Sequence, residues 1–245
     1  MNRWLTGLLL LASFLLPPVP AKAEVRMELN TFMPALDFGL SYKGREERQR
    51  FDIKAGLGIA DTTAFETRLY LSDHIRLSYV DLQYAGRKNV LDSELFPLAL
   101  ASDLRLEYGG VAFSQPLVSG EKWKLEGQFD VKGYRFAGAA SAVLREREIV
   151  STQRTRAAGV APTVGLAVSA DPTEQFHLYG EASVLPLGTL GSLWDFDAGV
   201  KYRVKDRTFL HLGYRRIEVE SIDPAIDTAL DARIGGPYFG LNYDF

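Results

Sequence analysis

Along most of this chain apolar and polar residues alternate one by one. In the last stretch Phe239, Leu241, Tyr243 and Phe245 are separated by Gly240, Asn242 and Asp244. Further back, Phe196, Ala198, Val200 and Tyr202 alternate with Asp197, Gly199, Lys201 and Arg203, and Leu104, Leu106 and Tyr108 alternate with Asp103, Arg105 and Glu107. Successive side chains on a β-strand point to opposite faces, so each stretch predicts a strand with one apolar and one polar face. Twelve such segments are predicted, near 25–30, 36–43, 50–58, 64–71, 74–85, 102–114, 122–135, 160–170, 175–185, 195–204, 207–218 and 237–245. In the fifth, Ile75, Leu77 and Tyr79 lead and Val80, Leu82 and Tyr84 then take over, which fits either a β-bulge near Tyr79 or a segment boundary that falls elsewhere.

The connections alternate in length. Lys205-Asp206 and Ser72-Asp73 are tight, whereas 86–101, 136–159 and 219–236 are long. Short turns on one side and long loops on the other are the arrangement of outer-membrane barrels, with both termini on the periplasmic side. The polar register carries basic and acidic residues in near balance. The apolar register is rich in aromatics near segment ends, among them Tyr79, Trp123, Phe176, Tyr202, Tyr214 and Tyr243. The fold class expected is therefore all-β: a transmembrane antiparallel up-and-down β-barrel, twelve-stranded, with ten strands as the alternative. An open edge is not tolerated in lipid, so the sheet must close.

Composition changes this picture at the N-terminus. Leu5 to Leu16 is a 12-residue apolar run behind Arg3, broken by Pro17, Pro18 and Pro20 and followed by Ala21-Lys22-Ala23. This predicts a cleaved signal peptide over 1–23 and a single barrel domain over 24–245. Cleavage would remove Arg3 and Lys22 and no acid, taking the formal charge from −3 to −5. The absence of a basic block excludes a nucleic-acid partner as an expectation. No apolar run is long enough for a membrane helix. The mean hydropathy of −0.06 averages two interleaved faces.

The closing segment, Gly235-Gly236-Pro237-Tyr238-Phe239-Gly240-Leu241-Asn242-Tyr243-Asp244-Phe245, resembles the assembly signal of Gram-negative outer-membrane β-barrel proteins. With His74 to Tyr79 and Gly213-Tyr214-Arg215, it resembles an uncharacterised family of small barrels of that class. The resemblance implies export, insertion by the barrel-assembly machinery with Tyr243 and Phe245 as its signal, and contact with outer-membrane lipid and lipopolysaccharide. It implies no activity.

The candidate lumen-lining residues are Arg68, Arg105, Glu107, Glu126, Asp130, Lys132, His177, Glu181, Asp197, Lys201, Arg203, His211 and Arg215. Near balance of charge fits either a narrow pore for small solutes or a structural or surface barrel braced by ion pairs. A lipid-modifying hydrolase is the alternative. It would need a nucleophile, base and acid in contact, and His177, Glu181 and Ser183 on one face are too widely spaced without help from other strands. No cofactor and no metal site is expected. In the loops, Asp223, Asp227 and Asp231 recur at helical spacing. Arg145, Arg147, Arg154 and Arg156 are candidates for anionic lipid or sugar.

Overall fold

The computed structural model describes residues 25–43, 48–91, 98–144, 148–186, 191–223 and 228–245. The expected signal peptide, 1–23, lies outside them. The strands are β1 (Arg26–Phe32), β2 (Ala35–Lys43), β3 (Arg48–Asp52), β4 (Ala64–Ser72), β5 (Ile75–Leu91), β6 (Leu98–Ser119), β7 (Trp123–Leu144), β8 (Glu148–Thr173), β9 (Phe176–Pro186), β10 (Gly191–Lys205), β11 (Thr208–Asp223) and β12 (Thr228–Asp244), with one short helix, α1 (Ile53–Leu57). All pairings are antiparallel. β1 and β4 to β12 follow one another around the ring, and β1 pairs back onto β12 to close it.

Twelve elements make ten strand positions in the closed barrel, not twelve. β1 and β2 run along the same edge of β12 in succession: Arg26 to Phe32 pair with Asp244 to Tyr238, and Ala35 to Tyr42 pair with Gly235 to Thr228. They share one position, interrupted at Met33-Pro34. β3 hairpins onto β2 beyond the ring. The rest of the predicted 50–58 strand turns into α1, because Asp52 caps it (Oδ1 accepts from Ala55 N at 2.9 Å) and Gly58 ends it at φ 64°.

Strand length explains the second departure. β7 has 22 residues and β8 has 26. At about 3.3 Å per residue β7 reaches roughly 70 Å, far more than a hydrocarbon band about 25 Å tall needs even at a 40° tilt. The segments 86–101, 136–159 and 219–236, expected as loops, are mostly strand among the described residues. Asp223 ends β11 and Asp231 lies within β12, so the helical spacing of these acids forms no helix there. Arg145, Arg147 and Asp227 lie outside the described residues.

The outer face records where the membrane stops. Outward positions paired across β5, β6, β7 and β8 read Ile75, Phe113, Phe129, Val164 and, one row higher, Leu77, Val111, Val131, Pro162. The next row is Tyr79, Gly109, Gly133, Val160. Above it come Asp81, Glu107, Arg135, Ala158 and then Gln83, Arg105, Ala137, Arg156. The register of β5 on β6 is unbroken from Ile75 to Asn89, so the bulge expected near Tyr79 is absent. Polarity inverts along a straight strand instead: Val80, Leu82 and Tyr84 point inward and are buried, and Asp81 and Gln83 point out.

The inward apolar residues make a core inside the upper barrel. Phe32, Leu36, Ile59, Val80, Leu82, Tyr84, Leu104, Tyr108, Ile217, Ile234 and Tyr238 pack together there. The α1 turn closes its top: Ile59 bridges to Gly86, Ser102 Oγ donates to Leu57 O at 3.3 Å and Lys88 Nζ to Ala55 O at 2.8 Å. Gly58 is required twice there, by its positive φ and because a Cβ would lie 2.5 Å from Arg87 O. Gly58→Ala is expected to cost about 1–2 kcal/mol in backbone strain alone. Its signature would be faster proteolysis within 53–60 while the barrel stays heat-modifiable on gels. Unchanged protection would show that the turn is not seated by this contact.

Candidate functional site

Below the apolar core the lumen is filled by charge. Period two places even-numbered residues of β1, β4, β5, β6, β7 and β12, and odd-numbered residues of β8 to β11, toward the barrel axis. These positions hold Glu28, Asn30, Glu66, Arg68, Arg76, Asp130, Lys132, Glu181, Ser183, Asp195, Asp197, Lys201, His211, Arg215 and Asn242. Most are buried, down to 0% exposure at Glu28 and 2% at Arg68. Some ion pairs stay within one strand or between neighbours, and others cross the barrel. Arg68 on β4 contacts Glu66 at 2.8 Å, Asp197 on β10, and Glu28 on β1 at 4.0 Å. Arg215 on β11 binds Asp195 at 3.0 Å and Glu66. Lys132 on β7 binds Asp195 at 2.7 Å and donates to Ser183 Oγ at 2.5 Å. Arg76 on β5 meets Glu181 on β9 at 2.7 Å, and Lys201 meets Glu28.

Tyrosines tie the charged layer to the apolar one above. Tyr108 OH donates to Asp195 at 2.9 Å and Tyr238 OH to Asp197 at 2.6 Å. His211 is held on both sides, Nε2 by Tyr179 OH at 2.7 Å and Nδ1 by Asn30 Oδ1 at 3.1 Å. Arg68 and Arg215 also lie over the rings of Tyr238 and Tyr108, at 5.2 and 5.4 Å. Tyr108, Tyr238 and Tyr179 were not among the candidates. The available signal was a tyrosine in the polar register of the last strand, Tyr238 between Pro237 and Phe239.

The structure places most candidates in this layer. Arg68, Asp130, Lys132, Glu181, Asp197, Lys201, His211 and Arg215 lie together in the mid-lumen. Glu126 and His177 line a small vestibule at the end of the barrel that carries the tight turns, Glu126 with Lys124 at 3.2 Å and His177 Nδ1 with Asp171 at 2.8 Å. Arg203 is at the mouth on the same end, over the Phe209 ring, at 5.3 Å. Two candidates are corrected. Arg105 and Glu107 do not line the lumen: Leu104, Leu106 and Tyr108 take the inward register into the apolar core, and this turns Arg105 and Glu107 outward. There Arg105 binds Asp81 at 2.7 Å and Glu107 at 3.3 Å. Tyr243 and Phe245 lie on the outer face at that same end, their rings 5.1 Å apart edge to face, and Phe245 N donates to Val25 O at 2.8 Å.

The hydrolase constellation is not assembled. Ser183 is bound to Lys132, Glu181 to Arg76 and Gln128, and His177 to Asp171. His177, Glu181 and Ser183 are thus bound to other residues and not to one another. Among the described residues no cluster of His, Cys, Asp or Glu has the geometry for a metal ion.

The comparisons agree with this architecture. Residues 135–245 match the family model described as YfaZ precursor. No curated protein matches the chain. Among solved structures, the outer-membrane protease OmpT of Escherichia coli is 10% identical over 94% of this chain and 99% of its own, with a TM-score of 0.56. The transport unit of the autotransporter AIDA-I of Escherichia coli is 11% identical over 99% and 97%, at 0.45. Ail of Yersinia pestis is 10% identical over 91% and 99%, at 0.33. At such identities the likeness to OmpT is one of fold. A closed ten-position barrel, an apolar outer band and that likeness together give this chain the fold of the Gram-negative outer-membrane β-barrels.

Proposed function

We propose that the protein is a closed structural and surface barrel, one that conducts no solute and acts through the sheet it raises above the outer leaflet. The observation that carries this reading is the filled lumen. At mid-height Arg68, Arg215 and Lys132 each reach carboxylates on non-adjacent strands, and above them an apolar core and α1 fill the same bore. A hydrated solute would have to break buried ion pairs, each of which is strongly unfavourable to open once its partner is removed from contact. A diffusion pore instead keeps its charged rings wet.

Planar-bilayer recording tests the proposal. The full chain inserted at neutral pH is expected to give no resolved single-channel steps. Stable unitary steps from heat-modifiable, folded protein would overturn it and restore the narrow pore. Insertion by the barrel-assembly machinery through Tyr243 and Phe245 belongs to the same proposal. Both residues expose apolar rings at the periplasmic end of the last strand, where an assembly factor would meet them.

A further inference from the structure

Above the apolar rows the outer face of β4 to β8 carries a hollow of about 1000 Å³. Its floor is made of small residues, Ala137 and Ala139, and its far wall of Arg154 and Arg156 on β8, both exposed. Directly below, a shallower notch of about 730 Å³ opens where Gly109 and Gly133 leave the outer surface without side chains, between Tyr79 and Val160. The two hollows share Tyr79 and meet at the row where the outer face changes from apolar to charged. The notch opens among the apolar outward rows, and the upper hollow among the charged rows above them.

The charges on this face are not equivalent. Arg105 is engaged by Asp81 and Glu107, and Arg135 by Glu107 at 3.5 Å. Asp103 lies exposed on β6 in the row of Arg154, two strands away. Arg154 and Arg156 have no hydrogen-bond or ion-pair partner among the described residues. Two unpaired guanidinium groups over a cavity suit a phosphate, which arginine binds through paired N–H donors. We propose that this external groove binds a phosphorylated lipid of the outer leaflet, with an acyl chain lying in the Gly109–Gly133 notch and a headgroup phosphate held by Arg154 and Arg156. The chain and the phosphate are required together: the notch alone would accept any lipid tail, and the arginines alone any small anion. This does not depend on the closed lumen, because the groove lies on the other side of the wall.

The test uses the full chain purified in a zwitterionic detergent and its affinity for three probes: bisphosphorylated lipid A, the same lipid A after phosphatase treatment, and inorganic phosphate. Lipid A is expected to bind at least about tenfold more tightly than its dephosphorylated form, a difference of about 1.4 kcal/mol. Millimolar phosphate is expected not to displace it. R154Q/R156Q is expected to lose that tenfold. Gly133→Val should weaken binding without loss of folding, because a Cβ at Gly133 meets nothing closer than 4.0 Å and so fills the notch from open space. Heat-modifiability on gels confirms that both variants are folded. Equal affinity for the two lipid forms, or an unchanged Kd in folded R154Q/R156Q, overturns the phosphate site. Full displacement by inorganic phosphate, or unchanged binding by G133V, overturns the lipid.

Discussion

Arg68→Ala is expected to destabilise the folded barrel by about 3–5 kcal/mol, the usual consequence of removing one partner from a buried ionic network. The side chain is 2% exposed and contacts three carboxylates, Glu66, Asp197 and Glu28. Lys201, Arg215 and His211 remain to face those acids, but none replaces the bond from Arg68 to Asp197. The loss comes from the stranded acids more than from the missing attraction. Arg68→Lys is expected to fall between the two, since an ammonium cannot span Glu66 and Asp197 as a planar fork does, nor lie flat over the Tyr238 ring. Reversible urea unfolding of the chain in lipid vesicles, followed by tryptophan fluorescence, measures both. An Arg68→Ala barrel within about 1 kcal/mol of the native one would mean that the acids are solvated, and the lumen would then be wet.

How much of this was visible in the sequence depends on what lies beyond each wall. From β9 to β12 the reading holds: Phe196, Val200, Leu212, Phe239 and Leu241 point outward, and Asp197, Lys201, His211 and Arg215 point inward. There lipid is outside and the charged layer inside, so apolar means outward. On β5 and β6 the same alternation continues above the membrane, where water is outside and an apolar core inside. Leu104 and Leu106 therefore face in, and Arg105 and Glu107 face out, with no change in the period. Alternation identifies two faces and does not say which is which. The inversion at Tyr79 was visible as a switch from odd to even apolar positions. A strand crossing the edge of the bilayer produces that switch without any bulge.

Strand number was hidden for a different reason. β1 and β2 each carry a full strand pattern, and only their pairing shows that they stack end to end on β12 at Met33-Pro34. Proline there lacks the N–H that a ladder needs. The alternation of Phe51, Ile53, Ala55 and Leu57 was overridden locally by the Asp52 cap and the Gly58 left-handed turn. The mid-lumen network was half legible. Arg68, Lys132, Asp197 and Arg215 were readable as inward charges, but which acid each would meet depends on the barrel's diameter, which a count of twelve overestimates.

The lipid-facing wall makes the second large prediction, and its sign separates membrane from water. Leu212 lies outward on β11 between Val200 of β10 and Phe239 of β12, and is 58% exposed. In water such a leucine would be replaceable at a cost within about 0.5 kcal/mol. In the middle of the apolar band, Leu212→Arg is expected to cost about 2–4 kcal/mol in vesicles, because the guanidinium must be desolvated or drawn to the interface. Arg216, four residues on and on the same face, already forms an ion pair with Glu218 and lies above Tyr214. Arg216→Leu is therefore expected to change stability by less than about 1 kcal/mol. The pair of substitutions exchanges similar chemistry across two periods of the alternation and brackets the membrane boundary on β11. Equal small effects in vesicles would place Leu212 in water and remove the outer leaflet from the height at which Tyr79, Gly109, Gly133 and Val160 set it.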